Sequence, residues 1–290
     1  MPSLADTARA KINLTLRITG RRADGYHELE SLVVFAGIAD TLTLEPAAHT
    51  SLDITGPFAG AIDAAADNLV LKAFNALAAL VPGLKGGRFR LDKHIPVAGG
   101  VGGGSADAAA ALRLLARLND LSFDDARLMT AALRTGADVP VCFVSRACVM
   151  TGVGERLSPP LHLPELAALL VNPRVGVATR DVFAALGKAG LPNDGRALGD
   201  IPHDAGGLIE FLKSHGNDLT APAIACAPVI GDVLEALEAM PGVRLARMSG
   251  SGATCFALFA TAAEAKAAES RLATRHPEWW AAATVLNRAP

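Results

Sequence analysis

The sequence predicts an α+β fold divided into two domains. Stretches of alternating apolar and polar residues, which indicate strands, are interspersed with stretches whose apolar residues lie three and four positions apart, which indicate helices. Strands gathered in one sheet with helices on one side are typical of the α+β class. The chain has 290 residues, more than one ordinary domain needs, and three prolines fall close together in residues 154–164. We therefore expect one domain over residues 1–155 and a second over residues 156–290.

The first half of the chain begins with strand-like segments. Ile12, Leu14 and Leu16 alternate with polar residues, which predicts a half-buried strand. The following segments match either this pattern or the helical one. We expect strands at 29–35, 41–46, 51–56, 88–96 and 139–144, and helices at 68–80, from Ser105 to Leu118, and between Ser122, a candidate N-cap, and Gly136.

The second half is richer in helices. The pattern predicts helices at 180–188, 206–213, 228–240 and 262–275, and strands at 244–249, 254–259 and 283–287. Gly250-Ser251-Gly252 lies between the first two of these strands, so we expect a tight connection there.

Composition and charge argue against several classes of protein. With 51% hydrophobic and 19% charged residues, the chain has enough apolar material for a packed core. A net charge of −2 without a long basic run argues against a nucleic-acid partner. The four cysteines form no CxxC pair, and no uncharged apolar stretch approaches the roughly 20 residues of a membrane span. We expect a cytoplasmic protein with reduced thiols, no membrane partner, and a monomeric or weakly dimeric state.

The most informative segment is 95-IPVAGGVGGGSADAAAAL-112. Five glycines in six positions are followed at once by strong helix formers. Glycine weakens a helix or strand by roughly 0.5–1 kcal/mol relative to alanine, so such a run marks a tight turn, close helix packing or a backbone that approaches a ligand. Consecutive glycine amides can converge on an anion, and a helix N-terminus adds about half a positive charge. On these grounds a phosphate site and a structural turn are both open.

The glycine loop does not match two well-known phosphate loops. A P-loop needs GxxxxGK[ST], but Ser105 and Ala106 follow Gly104 and the loop contains no lysine. A GxGxxG dinucleotide loop fits Gly100 and Gly102 but has Ser105 in place of its third glycine. Ser105 is placed either to cap the helix or to offer its hydroxyl to Mg²⁺.

Three segments, in order, resemble the motifs of the GHMP kinases. PxxGGxGGGSxDAA at 96–109 is similar to the second motif of that family, AKINLTLRI at 10–18 to the first, and MSGSGATCFALF at 248–259 to the third. The resemblance covers nearly the whole chain. It implies a two-domain fold with a nucleotide-binding N-terminal domain of mixed sheet and helices, a ferredoxin-like α+β C-terminal domain, and an active site in the cleft between them.

The resemblance also implies a small-molecule kinase that uses ATP and Mg²⁺. Its ATP-binding residues are expected in the glycine loop and near the adenosine half of ATP: Pro96, Gly99, Gly100, Gly102, Gly103, Gly104, Ser105, Asn68 and Lys93. Ser105 is the implied metal ligand, because Ala106 stands where many members carry a second serine. The alternatives are a helix N-cap for Asn68 and an ordinary solvated lysine for Lys93.

Two residues are implied in the transfer itself. Phosphoryl transfer to an alcohol needs a base that accepts the hydroxyl proton, and the resemblance assigns this role to Asp138. It gives an active-site role to Lys11, whose positive charge would favour the ionised carboxylate. The pattern alone would instead make Asp138 the end of a turn after Gly136, and Lys11 a solvated residue on an outer strand face.

Within the family, RADGYHELES at 22–31 resembles members that transfer phosphate to the C2 hydroxyl of a cytidylyl-linked methylerythritol. Tyr26 and His27 would recognise the cytosine by stacking and by a hydrogen bond to the base edge, with Phe183 on the other side of the base. The other substrate-binding residues that the resemblance implies are Asn13, Thr179, Gly250 and Gly252. The alternatives are a surface turn for Tyr26, a core position for Phe183 and a purely structural hairpin for the glycines. A homoserine- or mevalonate-type kinase and a non-catalytic nucleotide-binding relative are the rival functions.

Overall fold

The computed structural model describes residues 3–62, 68–97, 99–189 and 198–288. Its strands are Leu4–Asn13 (β1), Arg17–Arg21 (β2), His27–Pro46 (β3), Ser51–Thr55 (β4), Gly87–Asp92 (β5), Cys148–Gly152 (β6), Arg156–Leu157 (β7), Leu166–Asn172 (β8), Leu245–Met248 (β9), Cys255–Phe259 (β10) and Trp280–Leu286 (β11). Its α-helices are Leu69–Ala78 (α1), Gly103–Leu118 (α2), Ala126–Thr135 (α3), Val139–Val144 (α4), Thr179–Ala189 (α5), Ala205–Lys213 (α6), Thr220–Cys226 (α7), Val229–Glu238 (α8) and Ala262–Arg275 (α9). Among these described helices, none has both the length and the apolar character that a membrane crossing requires.

The chain forms two compact units that interleave along the sequence. The first contains residues up to 10, residues 38–97 and residues 102–145, and the second contains residues 11–37, 98–101 and 146–290. The strands β1 and β3 therefore contribute to both units. The sequence predicted one boundary, near residue 155, whereas these units are interleaved along the sequence. That boundary stays a prediction.

The first unit is organised around the alanine-rich helix α2. Eleven of its sixteen residues are buried, and α1, α3 and α4 all pack against it. Small alanine side chains allow neighbouring helices to approach closely, which suits a central position. In the same unit the second half of β3 pairs antiparallel with β5, and β4 pairs parallel with β5. This mixed sheet with helices agrees with the expected N-terminal architecture.

The second unit contains a ferredoxin-like arrangement. Its four strands lie in the order β11-β8-β10-β9, and every neighbouring pair is antiparallel. Helices follow β8, and α9 connects β10 to β11, which gives the βαββαβ succession. The α+β two-domain fold expected from the sequence is therefore confirmed. The first half of β3 belongs to this unit too, where it pairs with β2 and β6.

Several predicted strand assignments were wrong. The strand expected through Leu14 and Leu16 does not continue there, because β1 ends at Asn13 and β2 begins at Arg17. The segment VPVCFV forms the helix α4, because Pro140 occupies its first turn, where a missing N–H costs nothing, and a short run of buried apolar residues does not distinguish strand from helix. The two strands expected at 29–35 and 41–46 are one continuous strand of 20 residues. The helix α7 and the strands β6, β7 and β8 were not predicted.

Two predicted helix starts were also wrong. Ser105 does not cap α2, which begins at Gly103 after Gly102 in a left-handed conformation (φ 63°). Ser122 does not cap α3, because the carboxylate of Asp125 accepts from the amide of Arg127 and fills that role. Gly136 does follow the end of α3 as expected.

Candidate functional site

The segments that resemble three family motifs contact one another in the second unit. The amide of Lys11 donates to the carbonyl of Val101 at 2.9 Å, which ties the first segment to the glycine loop. The amide of Asn13 donates to Oγ of Ser249 at 3.1 Å, and that hydroxyl donates to the carbonyl of Gly100 at 3.3 Å. One serine of the third segment therefore joins both other segments.

Glycine is required where the loop meets the hairpin between β9 and β10. Gly100 has φ +71°, and a Cβ there would lie 2.8 Å from the carbonyl carbon and amide nitrogen of Gly252. Gly250 has φ +57°, and its Cβ would lie 2.7 Å from the carbonyl oxygen of Gly100 and 3.3 Å from Oδ1 of Asn13. These contacts leave no room for side chains, so the two backbones pack directly on each other.

The polar face of the first segment is buried, contrary to the half-buried strand that alternation predicted. Lys11 is 3% exposed, Asn13 1% and Thr15 2%. The solvated-lysine alternative for Lys11 is therefore wrong. Burial raises the pKa of the Cys148 thiol to about 11, and the positive charge of Lys11 opposes this increase.

Asn13 presents an unused hydrogen-bond acceptor. Its Nδ2 donates to Oγ of Ser31 at 2.7 Å, whereas its Oδ1 is buried and has no partner among the described residues. A buried acceptor without a partner costs about 1–3 kcal/mol, which a ligand hydroxyl at that position would recover. The arrangement is compatible with the expected contact to substrate.

Thr179 lies against the same hairpin. Its Oγ1 and the Oγ of Ser251 are 2.9 Å apart, and Thr179 is the first residue of α5. The structure thus brings together the predicted substrate-binding residues Thr179, Gly250 and Gly252 around one turn. Their contacts to substrate stay predictions.

His27 and Phe183 form an aromatic pair in the second unit. Their ring centroids are 5.0 Å apart with planes at 25°, and Nε2 of His27 is buried with no partner among the described residues. Burial lowers the pKa of His27, and the nearby Arg21 lowers it further, which favours the neutral imidazole. A neutral imidazole has one donor and one acceptor, as recognition of a base edge requires.

Tyr26 lies in a tight turn beside this pair. The turn is closed by the amide of Arg22 donating to the carbonyl of Tyr26 at 2.7 Å, and Gly25 has φ +91°. The tyrosine side chain is 65% exposed. It is accessible for stacking on a base, and that role stays a prediction.

The start of α2 offers the expected anion-binding geometry in the first unit. The opening amides of a helix have no intrahelical acceptor, and the helix dipole places partial positive charge at this end. Gly103 and Ser105 are half-buried, and Gly104 is exposed. The amide of Ala106 donates to the carbonyl of Gly102 at 2.8 Å, which closes the first turn.

Lys93 is engaged by two carboxylates beneath the start of α2. Its Nζ lies 2.5 Å from Oδ2 of Asp40 and 2.6 Å from Oδ2 of Asp107, and all three side chains are buried. The solvated alternative for Lys93 is wrong. A Cβ on Gly103 would lie 3.2 Å from the same Nζ, so the ammonium fills the space beside that glycine. Direct contact of Lys93 with ATP stays a prediction.

The pKa values of Lys93 and Asp107 are shifted in this buried cluster. Burial raises the pKa of Asp107 to about 7, and the charge of Lys93 offsets this only in part because Asp40 raises it again. The pKa of Lys93 is raised, since the attraction of the two carboxylates outweighs the cost of burial. Oδ1 of Asp107 is buried without a hydrogen-bond partner among the described residues, whereas Oδ1 of Asp40 accepts from the amide of Ile95 at 2.8 Å.

Asn68 is a helix cap in this structure. Its Oδ1 accepts from the amide of Val70 at 2.9 Å at the start of α1. A Cβ on Gly104 would lie 3.2 Å from Cδ1 of Leu69, so the first turns of α1 and α2 lie close together. The N-cap alternative for Asn68 is confirmed, and its ATP contact stays a prediction. Pro96 is buried at the entrance to the glycine loop.

Asp138 occupies the position before α4. It is half-buried and has φ −89° and ψ −8°, the bridge region of backbone conformation in which many active-site residues lie. The preceding turn is closed by the backbone, with the amide of Val139 donating to the carbonyl of Gly136 at 3.1 Å. The Asp138 side chain does not cap the helix, so helix capping does not account for an aspartate at this position. Its role as base stays a prediction.

The donor set suits a magnesium ion that is carried by phosphates. Within the described residues, no group of three or more His, Cys, Asp or Glu side chains is gathered as a metal cage. Mg²⁺ usually keeps several waters and is bound through substrate phosphates with few protein ligands, and a Ser or Thr hydroxyl such as that of Ser105 is a ligand that nucleotide-binding proteins use. The residues present therefore fit the ion.

Sequence reasoning missed several side chains that position these segments. Asp40 and Asp107 were not singled out, although the D of the glycine-loop pattern is a signal for the second. Asn217 donates to the carbonyls of Met248 and Gly250, and no local pattern indicated it because its partners lie more than 30 residues away.

Comparisons with known proteins agree with this geometry. The model of the GHMP kinases N terminal domain matches residues 68–146, and that of the GHMP kinases C terminal matches residues 197–278. A 4-diphosphocytidyl-2-C-methyl-D-erythritol kinase from Bradyrhizobium diazoefficiens is 56% identical, with 99% of each chain covered.

Solved structures agree as well. A crystal structure of 4-(cytidine 5'-diphospho)-2C-methyl-D-erythritol kinase is 33% identical and superposes with a TM-score of 0.79, covering 99% of this chain and 100% of that one. A homoserine kinase from Cytophaga hutchinsonii shares the fold at 18% identity, with a TM-score of 0.72 over 98% of this chain and 94% of that one. From its motif segments, its fold and these matches, we conclude that the chain belongs to the GHMP kinase family.

Proposed function

We propose that this protein phosphorylates the C2 hydroxyl of 4-diphosphocytidyl-2-C-methyl-D-erythritol with ATP, giving the 2-phosphate and ADP. The reaction is a step of non-mevalonate isoprenoid precursor synthesis. The observation that carries this choice of acceptor is the His27–Phe183 pair, in which Nε2 of His27 is buried and has no partner among the described residues. The 56% identical relative bears the name of the same kinase.

ATP is the phosphate donor in this family. We propose that the amides of residues 99–104 bind its phosphates and that α2 directs its positive end toward them. The backbone of Gly252 fills the space beside Gly100, and the ammonium of Lys93 fills the space beside Gly103. These contacts support a glycine loop that is held in one conformation. Bound Mg²⁺ would neutralise phosphate charge, with the hydroxyl of Ser105 as its protein ligand.

The acceptor hydroxyl needs a base that takes its proton and a residue that positions it by a hydrogen bond. We propose that Asp138 takes its proton, because this half-buried carboxylate lies directly before α4 in the bridge region of backbone conformation, where many active-site residues lie. Lys11 supplies a buried positive charge that favours the ionised carboxylate and stabilises charge that develops during transfer. The Oδ1 of Asn13, which has no partner among the described residues, accepts a hydrogen bond from the acceptor hydroxyl.

Recognition of the cytidine end selects the acceptor. We propose that the base enters between Tyr26 and Phe183 and pairs its edge with His27. Stacking of a base on an aromatic ring contributes about 1–3 kcal/mol, which acceptors without a base cannot obtain. Homoserine and mevalonate lack such a base, so the same site would bind them weakly.

A panel of acceptors tests the function. Purified protein is incubated with MgATP and, in turn, the cytidylyl alcohol, homoserine and mevalonate, while ADP release is followed. We expect turnover with the cytidylyl alcohol alone. Turnover of homoserine but not of the cytidylyl compound would overturn the assignment, and nucleotide binding without ADP release from any acceptor would favour a non-catalytic relative.

The setting of the reaction is part of the proposal. We propose that the protein works in the cytoplasm as a monomer or weak homodimer, with a small-molecule substrate and no nucleic-acid or membrane partner. The net charge of −2 without a long basic run supports the absence of a nucleic-acid partner.

A further inference from the structure

A short segment, Gly216–Leu219, is bonded to two of the three motif segments in the second unit. Nδ2 of Asn217 donates to the carbonyl of Met248 at 2.9 Å and to that of Gly250 at 2.8 Å. Its Oδ1 accepts from the amide of Leu219 at 3.0 Å, so every hydrogen-bonding group of this buried amide is used.

The same segment is bonded to the end of the first motif segment. The amide of Leu16 donates to the carbonyl of Gly216 at 3.0 Å, and the amide of Asp218 donates to the carbonyl of Leu16 at 2.9 Å. The carboxylate of Asp218 accepts from the amide of Ile18 at 2.7 Å. The Gly216–Leu219 segment therefore fixes the first motif segment and the β9–β10 hairpin relative to each other.

We infer that Asn217 is a positioning residue for phosphoryl transfer, which holds the Gly250-Ser251-Gly252 turn in the shape that substrate and glycine loop require. The expected effect on catalysis rests on the proposed function, whereas the expected effect on the shape of the turn does not.

The turn depends on these two hydrogen bonds for a physical reason. The carbonyls that Asn217 binds flank Ser249, whose hydroxyl joins Asn13 to Gly100. Gly250 has φ +57° and lies against the carbonyl of Gly100, with no spare space. A rotation of the Gly250 peptide would therefore move Ser249 and the loop contact together, and the amide of Asn217 opposes that rotation.

Asn217→Asp removes this support with almost no change in shape. The new oxygen faces two carbonyl oxygens, so two hydrogen bonds are replaced by repulsion. Asn119→Asp is the matched control, because Nδ2 of Asn119 also donates to two carbonyls, those of Lys85 and Leu115, and its Oδ1 also accepts from an amide. Asn119 follows the end of α2, and these hydrogen bonds go to residues outside the three motif segments.

The first measurement is steady-state kinetics at a temperature at which circular dichroism shows every variant to be folded. We expect kcat/KM for the cytidylyl alcohol to fall at least about 10-fold in Asn217→Asp, since small displacements of positioning groups can cost about 10²-fold. We expect Asn119→Asp to stay within about 2-fold of wild type, although both variants melt at lower temperature. Asn217→Ala replaces Asn217→Asp if the latter does not fold.

The second measurement is amide hydrogen exchange of the peptide that covers 248–254, which requires no substrate. We expect faster exchange there in the Asn217 variant and wild-type exchange in Asn119→Asp. Unchanged exchange in the Asn217 variant, or equal kinetic losses in the two variants, would overturn the inference. A wild-type protein that does not phosphorylate the cytidylyl alcohol would refute the proposed function, while the exchange result would still decide the role of Asn217.

Discussion

Replacing Gly100 with alanine should destabilise the protein by more than the cost of placing an alanine in a left-handed conformation. Gly100 has φ +71°, in the left-handed region, and its added Cβ would lie 2.8 Å from two backbone atoms of Gly252 and closer still to the carbonyl oxygen. Ordinary contact begins at 3.4 Å, so the loop and the hairpin must move apart. Neither is a flexible side-chain end that can rotate away.

The expected magnitude has two parts. An alanine held in the left-handed region costs about 1–2 kcal/mol. Forcing extra volume into a closed contact adds about 1–3 kcal/mol. We therefore expect Gly100→Ala to lower the free energy of unfolding by about 2–5 kcal/mol.

Gly83→Ala separates the two parts. Gly83 has φ +76°, close to that of Gly100, but a Cβ there would meet nothing within 4 Å. We expect it to lose only the conformational part, about 1–2 kcal/mol, and to keep wild-type kinetics. Urea unfolding and steady-state assays on both variants measure the stability difference and any fall in kcat/KM, which we expect to reach about 10²-fold in Gly100→Ala. Equal stability losses and equal kinetics in the two variants would refute the packed contact between Gly100 and Gly252.

Three further predictions address other parts of the site. Asp138→Asn should bind ATP and acceptor normally but lose at least about 10²-fold in kcat, the usual contribution of a general base; near-normal turnover would remove Asp138 from that role. Tyr26→Ala should raise KM for the cytidylyl alcohol by an amount equivalent to about 1–3 kcal/mol with little change in KM for ATP, and an unchanged acceptor KM would make Tyr26 a turn residue. The pKa of Asp107 is raised from 3.8 to about 7, so between these values the unfolded chain has released its proton while the folded protein keeps it. The contribution of Asp107 to the free energy of unfolding must therefore fall as pH rises through that window and stay level above it. Urea titrations at about pH 5 and pH 8 measure this difference in stability, which should be smaller in Asp107→Asn than in the wild type. Equal differences in the two proteins would contradict the raised pKa of Asp107.

Local patterns predicted most of the architecture. Alternation and helical spacing located β4, β5, α1 and the whole of α9, because each of those elements turns one face inward. The helix α2, which is buried on most of its surface, was located by its run of strong helix formers. The three motif-like segments also indicated where glycines would be needed.

Contacts between distant residues could not be predicted in this way. Lys93 reads as solvated until Asp40, 53 residues away, is known to lie against it. VPVCFV reads as a strand because a fully buried short helix has no exposed face to reveal its period. Asn217 was missed for a related reason, since its partners are backbone carbonyls that carry no sequence signal.

The most direct test of the central claim is a crystal structure with a non-hydrolysable ATP analogue and the cytidylyl alcohol. We predict phosphate oxygens at about 2.7–3.2 Å from amides of residues 99–104. We also predict the carboxylate of Asp138 at about 2.6–3.2 Å from the C2 hydroxyl of the acceptor. Phosphates bound away from the glycine loop, or an acceptor hydroxyl far from Asp138, would contradict the account.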